Sequence, residues 1–425
     1  MNVYFQTLGC KVNQYETQEM TEALTNCGYT ISELSDADIV IVNSCTVTAE
    51  SDRKVRQCVR HLKKLRPDYV LVLTGCASQA DPSLFDELPE ADIVLGNNTN
   101  LLLPETLEEF FASRKRILRV EKHTSAAEYK GCGITKFNEH TRAFLKIQDG
   151  CNRYCSYCII PESRGRSRSK TPQEVRSEAA ALAANGFSEI VLVGINLSDY
   201  GAGTDCSLPD AIEAASSPDC IKRVRLGSLE PDHLTDEMLE RFSALPKLCE
   251  QFHISLQSGC DKTLKAMNRH YTASEYADLC DKLRRKFTDA SLTTDIIAGF
   301  PGESEEDFLQ TLEFVKKIRF EKVHVFPYSK REGTRAALMP QLLNAVKNER
   351  AARLSALAED IRRDYLASQT GRRLEVLFER GCNGVFEGYT KNYTPVKLVS
   401  GEDMRGIITY VTITGSDGEA CLAKL

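Results

Sequence analysis

Three short apolar runs near the start of the chain, residues 3–8, 39–42 and 70–74, each close on a turn that carries a cysteine: Cys10, Cys45 and Cys76. Helical patterns at 16–27 and 51–64 lie between them, and a run at 92–95 adds a fourth strand. Strands and helices in alternation bury their apolar faces by building a parallel sheet with helices packed on it. Ligands of such sheets gather beyond the carboxyl ends of the strands. Three thiols 35 and 31 residues apart are therefore expected to converge on one site. Buried cysteines are common as small apolar residues, and the shared position at strand ends is what sets these three apart.

A helix is expected at 104–113, and the polar stretch 114–140 reads as a connection. The alternation then restarts, with strands expected at 143–148, 189–193, 223–226, 251–256, 292–298 and 322–326. Helices are expected at 172–185, 235–245, 273–287 and 305–318, the last capped by Ser304. Six such units predict an incomplete parallel barrel, whose working groups should lie at the carboxyl ends of its strands. A long helical pattern, 341–369, leads to a segment rich in Val, Ile, Tyr and Gly that reads as a small β-barrel of about five strands. The fold class is α/β with a β tail, divided at 1–113, 114–140, 141–340, 341–369 and 370–425.

A chain of 425 residues, 42% hydrophobic and 27% charged, can bury large cores. Its 54 Lys and Arg against 60 Asp and Glu give a net charge of −6, so nucleic acid would have to be met by a local patch. Apolar runs fall far short of a membrane span, and the start MNVYFQTLGC has no leader pattern, so the expectation is a cytoplasmic chain. Sixteen cysteines in that setting point to reduced thiols, some with metal or redox chemistry. Cys27, Cys58, Cys132, Cys206, Cys220, Cys249, Cys260, Cys280, Cys382 and Cys421 stand alone and are expected to act as small buried hydrophobes.

The densest motif is Gly150-Cys151-Asn152-Arg153-Tyr154-Cys155-Ser156-Tyr157-Cys158, directly after the first strand of the barrel. Structural zinc takes four closed ligands, and no second Cys pair follows. A cube of iron and sulfide takes one thiolate per iron, so three cysteines leave one iron open. This spacing, at this place in a six-unit barrel, resembles the radical S-adenosylmethionine superfamily. The resemblance implies that S-adenosylmethionine chelates the open iron and is cleaved to a 5′-deoxyadenosyl radical. It further implies cofactor contacts from Tyr157, from Gly194 and Asn196 after the second strand, and from Ser228 and Glu230 after the third. Gln257 after the fourth strand and Asp295 on the fifth complete that set.

Thr7-Leu8-Gly9-Cys10-Lys11-Val12-Asn13-Gln14-Tyr15-Glu16-Thr17 and Asn43-Ser44-Cys45-Thr46-Val47-Thr48, with the barrel and β tail, resemble the methylthiotransferases over the whole chain. Within that family the motif text is similar to the branch that modifies threonylcarbamoyladenosine in tRNA, beside the anticodon at position 37. The resemblance implies that Cys10, Cys45 and Cys76 hold a second 4Fe-4S cluster, next to the one on Cys151, Cys155 and Cys158. It implies two uses of S-adenosylmethionine per turnover, one to methylate a cluster-held sulfur and one to make the radical. The implied partners are a tRNA and an electron donor of flavodoxin or ferredoxin type; the sulfur donor stays open, and no membrane is involved. The alternatives are another modified adenosine, a ribosomal protein residue, or a non-catalytic iron–sulfur RNA-binding protein.

Four cations without an acid, Arg164, Arg166, Arg168 and Lys170, follow the cluster loop and are expected to grip RNA phosphates. The tail, similar to an RNA-binding TRAM domain, holds seven cations and seven acids from residue 371 onward, so its case for RNA rests on Phe386, Tyr389, Tyr393 and Tyr410 as stacking platforms or, equally, as core. Among seven histidines no His and carboxylate constellation stands out, which suits radical chemistry.

Overall fold

The computed structural model describes residues 1–124, 128–137 and 141–425, so parts of the expected connection, 125–127 and 138–140, lie outside the described residues. The first domain is one sheet of six parallel strands in the order Thr30–Ile31, Asn2–Thr7, Ile39–Ser44, Val70–Gly75, Ile93–Leu95 and Ile117–Arg119. Ile39–Ser44 and Val70–Gly75 are buried along their whole length, which is why they read as unbroken apolar runs. The last strand carries the sheet past the boundary expected at 113, because three residues are too few to show a period. The first helix also departs from its expected start at 16. It spans Lys11–Asn26, with Cys10 in extended backbone as its N-cap.

In the second domain, Ala143–Lys146, Glu189–Val193 and Arg223–Leu226 pair in parallel. Ser228–Leu229, Gln251–Ile254, Ser291–Ala298 and Lys322–Pro327 form a second parallel set. Gly227 separates the two sets, and a parallel bridge from Val224 to Leu248 joins them. The strands thus curve round in chain order, and among the described residues the first and last do not pair, leaving an open barrel. Helices Pro172–Ala184, Leu208–Ser216, Asp236–Ser243, Ala273–Lys286 and Glu305–Ile318 belong to these units. Ser304 caps the last of them by accepting the Asp307 N–H at 3.1 Å. Side chains alternate across each strand. Ile190, Leu192, Val224 and Leu226 therefore enter the main hydrophobic core, while Glu189, Arg223 and Arg225 face a polar interior.

The long helix Asn344–Ser368 presents Leu354 and Ile361, seven residues and two turns apart, to the barrel and sends Leu366 into the tail's own core. The tail is a closed barrel ordered Arg373–Cys382, Val385–Thr390, Pro395–Val399, Cys421–Lys424 and Ile408–Ser416. Ion pairs dock it under the larger barrel. Arg142 reaches Glu189 at 3.7 Å and Glu379 at 2.7 Å, Arg223 reaches Glu375 at 2.9 Å, and Arg225 reaches Glu189 at 2.9 Å. Tyr389 and Tyr393 stack on each other at 4.3 Å, and Arg142 and Arg225 lie over them. Two of the expected RNA platforms are thus spent on docking, Phe386 is core, and Tyr410 alone is exposed, with Arg373 over its ring.

No helix among the described residues is long and apolar enough to cross a membrane. Cys249, Cys260, Cys280 and Cys421 are buried as expected of lone cysteines, whereas Cys27, Cys132, Cys220 and Cys382 are exposed. Glu189 is the carboxylate that three docking arginines share. Removing it leaves buried cations short of a partner, so Glu189→Ala should cost about 3–5 kcal/mol in urea unfolding and free the tail for limited proteolysis.

Candidate active site at the barrel mouth

The first thiol trio is built by the strand ends of the first sheet. Gly9 has φ +129°, and a side chain there would bring its Cβ to 2.8 Å from the Cβ of Cys45, so only glycine lets the Cys10 loop pass over Cys45. Asn13 accepts the Cys10 N–H at 3.4 Å and donates to Asn43 Oδ1 and the Ser44 carbonyl, both at 3.1 Å. The Ser44 hydroxyl in turn accepts the Ala77 N–H at 3.2 Å. These bonds tie the three strand ends together, and the three thiols lie within electrostatic range of one another. Cys10 is exposed, while Cys45 and Cys76 are buried. Burial raises the Cys45 thiol and pushes that of Cys76 up to about 12, so both need a cation or a metal to ionise.

The second trio follows the first barrel strand. Gly150 has φ +73°, and a Cβ there would strike the Arg166 carbonyl oxygen, so the loop needs a glycine to start. Burial pushes Cys151 and Cys158 up to about 12. Donors surround the sulfurs: the Arg153 N–H lies 3.5 Å from Cys151 Sγ, Arg269 Nη1 3.3 Å from Cys155 Sγ, and Asn196 Nδ2 4.0 Å from Cys151 Sγ. Asn196 Oδ1 is buried without a partner among the described residues, an acceptor suited to a ligand's amino group.

Arg164, six residues after Cys158, ties the second domain to the first trio. Its Nε donates to Cys76 Sγ at 3.2 Å, and its other nitrogens reach Glu16 at 2.6 and 2.9 Å and Asp149 at 3.1 Å. Lys146 binds the same two acids at 2.8 and 2.9 Å, and Arg168 binds Asp149 at 2.9 Å. Burial alone would raise both carboxyls, but Arg164 and Lys146 hold Glu16 below its usual range, and Lys146, Arg164 and Arg168 do the same to Asp149. On the other flank Arg331 donates to Asp52 at 2.5 Å and to Thr46 at 2.6 Å, beside Cys45. Two arginines of the second domain thus reach the surroundings of the first trio.

These contacts correct the expected RNA grip. Arg164 is buried between the domains and Arg168 is half-buried against Asp149. Lys170 is buried against Glu178 and the Tyr15 hydroxyl. Only Arg166 of the four is exposed. Ionic pairing, across the domain interface for Arg164 and within the second domain for Arg168 and Lys170, consumed charges that the sequence showed as an unbroken cationic run.

Several of the expected cofactor residues have protein partners. Gln148, missed in the sequence, accepts the Ile195 and Asn196 N–H groups at 3.0 and 2.8 Å and so holds the Gly194 turn. Ser228 shares a hydrogen bond with Ser255 at 2.9 Å. Glu230 pairs with Arg269 and lies 3.6 Å from Arg153. Tyr157 packs edge-on against Phe300, with centroids 6.3 Å apart. Gln257 has φ +68°, and its carbonyl accepts the Ile297 N–H at 3.0 Å. Such a left-handed residue without glycine is strain of the kind kept at working sites.

Deeper in the barrel, Asp295 lies 3.2 Å from His253 Nε2, and His324 completes a trio whose ligand atoms fall within 4.8 Å. A His and carboxylate constellation thus exists where none stood out. Register explains it, since Asp295 pairs with His324 and His253 with Thr293 on adjacent strands. His253 Nδ1 also bonds Thr293 Oγ1 at 2.9 Å. Burial first, and Lys322 next, lower the His324 pKa.

Residues 145–315 match the radical SAM superfamily, and residues 2–96 match the uncharacterized protein family UPF0004. The chain is 38% identical over 420 residues to the threonylcarbamoyladenosine tRNA methylthiotransferase MtaB of Bacillus subtilis, covering 97% of this chain and 93% of that one. It is 35% identical over 438 residues to the tRNA-2-methylthio-N(6)-dimethylallyladenosine synthase of Syntrophobacter fumaroxidans, covering 100% and 95%. In fold it resembles the radical S-adenosylmethionine methyltransferase TsrM of Kitasatospora setae, at a TM-score of 0.56 and 14% identity, over 77% of this chain and 74% of that one.

Gly9 permits the first trio without touching the second. Gly9→Ala, on anaerobic reconstitution, should therefore lower bound iron by about half, to about four per chain, with the loss confined to the Cys10, Cys45 and Cys76 site. Iron and sulfide analysis combined with electron paramagnetic resonance would measure it.

Proposed function

The chain belongs to the MtaB-like methylthiotransferase family of radical S-adenosylmethionine enzymes, and from that premise we propose that it adds a methylthio group to C2 of N6-threonylcarbamoyladenosine at position 37 of tRNA. The observation that supports the reading is the Arg164 bond to Cys76, which links the segment just after Cys158 to a thiol of the first trio. A single radical site would need only one trio. Cys151, Cys155 and Cys158 would hold the cluster that meets S-adenosylmethionine, and Cys10, Cys45 and Cys76 a second cluster. When bound, these groups would supply an electron, a radical from S-adenosylmethionine and a sulfur-bearing metal centre.

The chain's own residues then have defined tasks. Gln148 holds the Gly194 to Asn196 turn, so that the free Asn196 oxygen is available to an ammonium group of the cofactor. Arg269 donates to Cys155 Sγ while its other nitrogens are held by Glu230 and the Ser255 carbonyl, which fixes the direction of that bond. Hydrogen bonds to cluster sulfurs favour the reduced form. Arg164 brings a guanidinium to Cys76 Sγ in the same way.

The relative from Syntrophobacter supports one second reading, dimethylallyladenosine as the substrate base. Nucleoside mass spectrometry of tRNA from cells lacking the protein separates the two. The expected result is loss of methylthio-threonylcarbamoyladenosine with its precursor retained; loss of the methylthio-dimethylallyl nucleoside instead would transfer the assignment. In the reconstituted protein Cys155→Ala should abolish 5′-deoxyadenosine formation, whereas Cys45→Ala should keep some cleavage and stop methylthio transfer.

A further inference from the structure

Lys11 is the first residue of its helix and follows Cys10 directly. Its side chain does not lie along the outer surface. The ammonium stands 5.9 Å from the ring centre of Phe144, on the first barrel strand, and within electrostatic range of Arg142, Arg225 and Tyr393. The residue is nonetheless accessible, so it reaches from the auxiliary site into open space inside the barrel.

The charges around it are unequal. Arg142, Arg223 and Arg225 are matched by Glu189, Glu375 and Glu379. Among the described residues no carboxylate forms a salt bridge with Lys11; the groups near it that favour its charge are Tyr393 and Cys10. A ligand carboxylate there would gain a charge-assisted bond with the ammonium.

We propose that Lys11 is the counter-ion for the free carboxylate of the threonylcarbamoyl group, binding it at the boundary between the Cys10 site and the barrel interior. The proposal rests on the substrate reading above and names the residue that would enforce it. A dimethylallyl group is neutral and apolar, so it gains no such bond, and the ammonium favours the substrate that carries the carboxylate. Overall identity of 38% and 35% to the two kinds of relative scarcely separates the substrates, whereas one unmatched charge does.

The test uses the reconstituted holoenzyme and three anticodon stem-loops that differ only in the target base: threonylcarbamoyladenosine, the same base with its carboxylate converted to a carboxamide, and dimethylallyladenosine. Affinity by fluorescence anisotropy and methylthio transfer are both read. Wild type should bind the carboxylate about tenfold more tightly than the carboxamide. Lys11→Met should bring that ratio to near one, and Lys11→Arg should restore most of it. A general folding or cluster defect would weaken both arms together and leave the ratio unchanged. If Lys11→Met keeps the wild-type ratio while wild type still modifies the threonylcarbamoyl stem-loop, the role of Lys11 is overturned and the function stands. If wild type modifies only the dimethylallyl stem-loop, the substrate reading itself fails.

Discussion

Everything at the mouth depends on one buried ionic network, in which Arg164 and Lys146 share Glu16 and Asp149 across the domain boundary. Neither domain alone could keep these charges out of water, since a buried ion without its partner costs several kcal/mol, about 3–5 on removal of one member. The pairs therefore act as a register pin. Three cations, counting Arg168, face two acids, and the surplus positive charge is directed at Cys76 Sγ. The same contact that holds the domains together thus conditions a sulfur of the site between them.

The tail is held by a parallel device. Glu189 balances arginines inside the barrel, and the stacked Tyr389 and Tyr393 close their exposed faces. Aromatic rings and guanidinium groups that would suit RNA on an open surface are used here as a plug. The interior of the larger barrel is polar on several sides, with His253, Asp295 and His324 on three adjacent strands and Lys11 entering from the first domain.

Much of the architecture was legible because parallel strands buried on both faces leave unbroken apolar runs, and because turns after them are marked by glycine. The runs before Cys10, Cys45 and Cys76 placed those cysteines at neighbouring strand ends, and the structure cross-links the ends through Asn13 and Ser44. Elements too short to show a period, such as Ile117–Arg119, were not visible, and the polar first turn of the helix at Lys11 hid its true start. The run Arg164 to Lys170 misled for a different reason. Its partners, Glu16, Asp149 and Glu178, are scattered from residue 16 to residue 178, so local composition showed the cations without their acids.

Local order along the chain settled the strand and helix alternation, the two cysteine trios and the need for glycine beside them, because all of these follow from contacts between near neighbours. Which charges face water, which aromatics dock the tail, and which polar residues meet inside the barrel were decided only by the assembled fold. Those outcomes depend on desolvation and pairing between residues more than a hundred positions apart, such as Arg164 with Glu16 and Arg223 with Glu375. Ionic partners carry no signature in sequence, since a charge acquires its energetic meaning from the medium and the neighbour that folding brings to it.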